Sequence, residues 1–383
     1  MKPENSRDAA RIEQSGLPIS TPGSAFQLKQ RLATAFVVTV FYAVVAAAAF
    51  HGYYTKWFMS DFARPQSLVA MLDGTAARPF VYRQLLPQAA TILERSLPEG
   101  ARVYLEHRFN SARGALRHPT GADAAKDGYI IRYRIVYCAT FLSLFLALFA
   151  LRSVCLSIGV SRAAATAAPA IFALMIPILQ TRGGYFYDFP EVLAFALAAR
   201  LALGGHVAAL LLLAVPATAN KESFLFYCLA LVPLLTVRLS LRSAIATALG
   251  AAFLSGITYL AIRQAYAAND GQNVIFQLFD NLAFYANPLN LFLFDQTYGL
   301  PLFKGYGIVV LGWFAVLMIY GWRTVPGYIH QHLMLAAVIN VPLLLLFGAE
   351  GEVRNLSMLY VATVALIAGA LHRWLEAAVA GYR

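Results

Sequence analysis

The stretch Leu333-Met334-Leu335-Ala336-Ala337-Val338-Ile339-Asn340-Val341-Pro342-Leu343-Leu344-Leu345-Leu346-Phe347 carries no charged side chain. It runs into Gly348-Ala349-Glu350-Gly351-Glu352-Val353-Arg354-Asn355, and a second apolar stretch begins at once. Apolar run, charged mouth, apolar run is the pattern of a chain that crosses a lipid bilayer and returns. A spanning helix needs about 20 mostly apolar residues, because the hydrocarbon is about 30 Å thick and an α-helix rises 1.5 Å per residue. Applied outward from this stretch, the rule gives ten candidate spans: 33–51, 130–151, 162–180, 189–203, 206–219, 222–237, 243–262, 306–322, 332–348 and 355–372. The fourth and fifth are short and separated only by Gly204-Gly205, which suits a tight helical hairpin or a partial crossing.

Composition supports that class. Of 383 residues, 60% are hydrophobic and 13% charged, against about 25% charged in a soluble domain. The expected fold is therefore an all-α polytopic membrane protein. The net charge of +11 would suit nucleic acid in a soluble chain, but here the placement of charge matters more than its sum, and no nucleic-acid partner is expected. Cys138, Cys155 and Cys228 lie in or beside apolar segments and give neither a disulfide framework nor metal spacing.

Short cytoplasmic loops favour Lys and Arg. With the N-terminus inside, Arg152, Arg162, Arg200, Arg238, Arg242, Arg323 and Arg373 fall on the cytoplasmic side and outnumber Arg182, Lys221, Arg263, Lys304 and Arg354 outside. Both termini are then cytoplasmic, as in a multi-pass protein of a bacterial-type inner membrane. Residues 1–30 read as a disordered cytoplasmic tail, and 31–383 as one transmembrane domain with 51–129 as its long outer loop. The Ala46 to Ala49 run resembles a cleavage site, but the leader before it is too long for a signal peptide, so it reads as an uncleaved anchor. No internal repeat is visible, which disfavours an inverted-repeat transporter.

Most acidic residues fall outside, and ionisable groups at membrane depth tend to mark a site. The outer loop opens with Trp57-Phe58-Met59-Ser60-Asp61, one carboxylate shortly after the first span. Then comes Arg78-Pro79-Phe80-Val81-Tyr82-Arg83, followed by an amphipathic pattern through Leu97 that suits an interfacial helix, with both arginines at headgroup level. They fit bulk anionic lipid or a specific phosphate. In Arg182-Gly183-Gly184-Tyr185-Phe186-Tyr187-Asp188-Phe189-Pro190-Glu191, the D-x-x-E spacing reads as an N-cap with its capping box and Pro190 in the first turn. Capping does not account for Arg182 or the tyrosines, which with Gly-Gly and a helix N-terminus suit an anion cradle.

Asn220 is a candidate cap for the next span. Lys221 opposes the helix dipole there, so it needs another reason to be present: a bound phosphate, or an ordinary Lys221–Glu222 contact at the headgroups. The segment from Asn269 to Lys304 scatters carboxylates among aromatics, which suits either sugar rings or an interfacial belt. Glu350, Glu352 and Arg354 crowd the last outer mouth beyond what a turn requires. Zinc-type histidine spacings, a phosphate-binding loop and a nucleophile elbow are all missing from the sequence.

The layout of about ten spans with cytoplasmic ends, Asp61 after the first span in a long outer loop, and outer motifs at Arg182 to Glu191 and Glu350 to Arg354 resembles the GT-C superfamily of glycosyltransferases. The resemblance implies a sugar donor linked to polyprenyl phosphate, a lipid or saccharide acceptor, and Asp61 as catalytic base or metal ligand. Arg78, Arg83, Arg182 and Lys221 would meet the phosphate, and Tyr82, Tyr187, Asp188, Glu191, Glu222, Glu350, Glu352 and Arg354 would line the substrate cavity. The chain has a single Asp61 where the family has adjacent acids. That leaves the base between Asp61 and Asp73, and a divalent cation (Mg or Mn) open. A polysaccharide polymerase or ligase, and a transporter or flippase of lipid-linked saccharides, are the alternative readings.

Overall fold

The structure, a computed structural model, describes residues 24–60, 66–111, 128–272 and 274–381. The chain divides into two units, 1–41 and 42–383. Of the first, the described residues are helical and form the leading part of α1 (Ser24–Trp57). The helix begins inside the expected tail, and the rest of that tail lies outside the described residues. All contacts below are within the second unit.

Among its described residues that unit is all-α apart from one short hairpin. Among the described residues, six helices are long and apolar enough to cross a membrane: α1, α5 (Tyr129–Ser157), α6 (Arg162–Leu179), α11 (Leu241–Ala265), α14 (Gly327–Phe347) and α15 (Tyr360–Gly381), the last with the turn before it. Two shorter apolar helices are α8 (Val207–Asn220) and α13 (Ile308–Trp322). The remaining expected spans are helical too, as α7 (Asp188–Gly204) and as α9 (Ser223–Ala230) with α10 (Val232–Leu235). Pro233 lacks the N–H that would continue α9, so the stretch 222–237 forms two short helices rather than one. Gly205, left-handed at φ 70°, ends α7, and α8 starts at Val207: the expected helical hairpin. Ser161 and Ser240 cap α6 and α11 by accepting from Ala164 N and Ser243 N.

Small residues set the closest helix approaches, as is usual where lipid supplies no hydrophobic drive between helices. A β-carbon on Gly321 of α13 would lie 2.2 Å from the Leu366 carbonyl oxygen of α15, and one on Gly369 would lie 3.1 Å from Gly321 O. Gly321→Val should therefore force the two helices apart and destabilise the protein by about 1–3 kcal/mol, read as a lower melting midpoint in detergent.

The long segment after α1 carries α2 (Leu68–Leu72), α3 (Leu85–Arg95) and α4 (Glu99–Ser111). The expected amphipathic helix is present as α3. It starts later than the pattern suggested, because Phe80–Tyr82 is a separate 3-10 turn. Its inner face is Pro87, Ala90 and Glu94, while Ile92 and Leu93 point outward. Between α11 and α13 lie α12 (Leu278–Ala286) and an antiparallel hairpin of β1 (Phe294–Thr297) with β2 (Leu300–Phe303), which the all-helical expectation did not include.

The segments after α1, α6, α8, α11 and α14 are joined to one another at one end. Trp57 Nε1 donates to Gln180 O at 3.2 Å, Gln84 N to Ala219 O at 2.8 Å, and Gln277 N to Leu346 O at 2.8 Å. The opposite end is joined by different contacts, such as Arg152 Nε to Thr166 Oγ1 at 3.0 Å and Arg200 Nε to Ser153 Oγ at 2.8 Å.

Candidate functional site

The gathered end holds a buried ion network built from four separated stretches. The first turn of α7 supplies Asp188 and Glu191, three residues apart and so on one helix face. The α8–α9 break supplies Lys221 and Glu222. Lys221 has extended backbone (φ −161°, ψ 135°), and Asn220 Nδ2 donates to Tyr187 O at 2.9 Å, which ties the break to the loop before α7. The turn before α15 supplies Glu352 and Arg354, and the segment before α3 supplies Arg83.

The pairs close as follows. Arg354 Nη1 donates to Asp188 Oδ1 at 2.8 Å, and its Nη2 to Glu352 Oε1. Lys221 Nζ donates to Glu191 Oε2 at 2.8 Å and lies 3.4 Å from Asn355 Oδ1. Ser223 and Ser357 hydroxyls both donate to Glu191 Oε1. Arg83 Nη2 donates to Glu222 Oε1 at 2.6 Å. Side chains of Asp188, Glu191, Lys221, Arg83 and Arg354 are each 9% exposed or less. Burying one such charge without a partner costs several kcal/mol, so the pairing explains how the sequence tolerates them there.

Aromatic rings lie against the cations. Tyr185 and Tyr187 stack with centroids 5.0 Å apart. The Arg354 guanidinium lies 4.7 Å from the Tyr185 ring and that of Arg83 5.2 Å from Tyr187, with Phe80 5.4 Å from Arg83 on another side. Burial pushes both phenols above their ordinary pKa, against the pull of the neighbouring arginines, so both rings are neutral. Burial alone would lower the pKa of Arg83, but the Glu222 carboxylate together with Tyr187 and Tyr185 outweighs it, and the guanidinium stays charged.

The network is not saturated. Arg83 Nε and Nη1 and Arg354 Nε are buried with no hydrogen-bond partner, as are Glu222 Oε2, Gln180 Oε1 and Asn220 Oδ1. Three unpartnered nitrogens on two arginines, carrying four N–H groups, are costly in a dry interior. They are also what a ligand bearing an oxyanion would satisfy.

Several expectations need correcting. Asp188 is not the N-cap of α7. Tyr187 holds that place with no side-chain cap, while Asp188 turns back to accept from Gln180 Nε2 at 3.0 Å, Tyr185 N at 3.0 Å and Arg354. Asn220 is the last residue of α8 rather than a cap of α9. Arg83 is buried and paired with Glu222, so it is not open to bulk lipid. Lys221 pairs with Glu191 rather than with Glu222, which is taken up by Arg83.

Other expected residues lie beside the network. Arg182 pairs with Glu350 through Nη2 and donates from Nε to Glu350 O at 3.0 Å, at an exposed position. Thr181 Oγ1 donates to Gly351 O, joining that mouth to the start of the α7 loop. Gly351 combines φ 68° with a site where a β-carbon would lie 2.4 Å from the Tyr306 ring. Arg78 Nη2 donates to Gly271 O at 2.8 Å, and Tyr82 packs edge-on against Tyr259. Asp73 pairs with Arg132 at 3.1 Å. Asp61 lies outside the described residues.

Gln180, Tyr185, Asn355, Ser223 and Ser357 join the network without having been singled out as site residues. Tyr185 and Asn355 lie inside the quoted motifs, whereas nothing in the local pattern marks Ser357. Among the described residues, no group of three or more His, Cys, Asp or Glu side chains is placed to hold a metal ion. Asp188, Glu191, Glu222 and Glu352 each face a cation of the chain instead. They do not fit a divalent-cation site, and no step below uses one. No family model, curated protein or solved structure matches the chain.

Proposed function

We propose that the protein is a GT-C-like membrane glycosyltransferase that moves a sugar from a polyprenyl-phosphate donor to a lipid or saccharide acceptor on the outer, periplasmic face of an inner membrane. In this reading α7, α8, the α9–α10 pair and α13 join the six long helices as spans. That makes ten crossings, with both termini cytoplasmic and the ion network on the outer side.

The observation that carries the reading is the set of unpartnered N–H groups on Arg83 and Arg354, buried among aromatic rings and carboxylates at the end where the long loop lies. The acceptor oxygen bonds to the anomeric carbon, and the bond from that carbon to the phosphate oxygen breaks, its electron pair leaving with the polyprenyl phosphate. Arginines aimed at the leaving phosphate oppose its developing charge. The acceptor proton passes to a carboxylate, assigned to Asp61 by the GT-C resemblance. Lys221 and Glu191 hold α7, α9 and the last turn in register around the arginines.

Incubation of the protein in proteoliposomes with a panel of polyprenyl-phosphate sugars should yield a glycosylated product and free polyprenyl phosphate. Asp61→Asn should abolish transfer while leaving expression and insertion unchanged. Full activity in that variant, with activity lost in Arg83→Gln, would instead favour a polymerase or ligase that needs no base at Asp61. Movement of a lipid-linked sugar across liposomes with no covalent product would favour the flippase reading.

A further inference from the structure

The segment 274–303 plays no part in the proposed chemistry, yet its outward side is strongly apolar. Phe276, Phe279, Leu289, Phe292, Phe294 and Leu300 are each 51% to 75% exposed. In water such a surface is costly, at roughly 25 cal/mol per Å². The inward side is firmly held. Asn281 Nδ2 donates to Gly348 O at 2.7 Å, and Asp295 of β1 pairs with Lys56 Nζ at 2.8 Å.

Tyr298, at the tip of the hairpin, sets the depth. Its hydroxyl donates to Leu174 O at 2.9 Å, and its ring occupies the space left by Gly52, where a β-carbon would lie 2.5 Å from Cε1. Gly52 and Leu174 each precede the last residue of their helices, Trp57 and Leu179, by five positions. At 1.5 Å per residue the tip therefore sits about 7–8 Å below both helix ends. The hairpin lies alongside the spans rather than above them.

Two further observations say what covers the outward side. The apolar surface continues directly into α13, where Ile308, Val309 and Leu311 are exposed on the flank of an apolar helix. The backbone of the segment also pairs within itself, through the β1–β2 ladder, Lys304 N to Leu293 O at 3.0 Å and Asn290 Nδ2 to Phe284 O at 2.7 Å. Internal pairing is the condition that hydrocarbon imposes on any backbone it surrounds.

We propose that residues 274–303 form a membrane-embedded element seated in the leaflet at the charged end, its outward side against lipid acyl chains. Asp280, exposed in the first turn of α12, then lies at the headgroup boundary with the hairpin tip below it.

The test uses the full chain in phosphatidylcholine–phosphatidylglycerol liposomes, with the exposed thiol removed by Cys138→Ser and a nitroxide placed at Leu300→Cys or, separately, at Leu289→Cys. Oxygen accessibility several-fold above that of a water-soluble nickel chelate is expected at both sites. Nickel accessibility equal to or above that of oxygen would place the segment in water and overturn the proposal. Low accessibility to both reagents would show a protein surface covering it, a second copy or another chain, and would overturn it equally.

Discussion

Arg354→Met is expected to produce the largest loss of stability of any single substitution in the network. Arg354 holds Asp188 through Nη1 and Glu352 through Nη2, and all three side chains are buried or nearly so. Removing the cation leaves two buried carboxylates without their counter-charge, and breaking one buried pair in this way costs about 3–5 kcal/mol. Cys155 and Cys228 are buried, so a thiol-reactive fluorophore added to the Cys138→Ser protein in detergent reports unfolding directly. The Arg354→Met midpoint should fall far below that of the parent. Arg354→Lys should fall between them, because a lysine keeps the charge but cannot present two parallel N–H groups to two acids. A midpoint unchanged in Arg354→Met would mean that the pairs with Asp188 and Glu352 do not bear on the fold.

Lys221→Met should come second. Glu191 is 3% exposed on its side chain and would retain only the hydroxyls of Ser223 and Ser357. Two neutral donors do not replace an ammonium group at 2.8 Å. The expected cost is again about 3–5 kcal/mol, because an unpaired carboxylate stays behind. Removing both members of the pair together is a different experiment, since a buried ion pair replaced by apolar side chains of similar volume is often neutral or even stabilising.

How far the sequence could be read follows from the range of each interaction. Helices were legible because their signal is local. Each of the ten apolar stretches is helical, and Gly204-Gly205 and Pro233 mark a turn and a break for reasons a single residue carries. The hairpin was not legible. Its turn places Tyr298 and Gly299 both at positive φ, 58° and 78°, as a two-residue hairpin turn requires, but tyrosine is an uncommon residue for that place. The D-x-x-E spacing of Asp188 and Glu191 suits a capping box and equally suits two carboxylates on one face. Arg354, 166 residues away from Asp188, decides between these, and no local pattern reveals it. Lys221 gave a partial clue: a cation at an unfavourable helix end signalled a partner, but Glu191, 30 residues earlier in the chain, is not the neighbour the local sequence offered.

The account stands on the claim that these charges serve the chemistry rather than only tying helices together. Its most direct test is the rate of sugar transfer from a polyprenyl-phosphate donor by the double variant Arg83→Met with Glu222→Met, which removes one ion pair whole, measured beside its melting midpoint. We expect a midpoint close to that of the unmodified protein, because no charge is left unpaired, and no detectable product. Transfer at the unmodified rate would show that the pair is dispensable to the reaction and would contradict the claim.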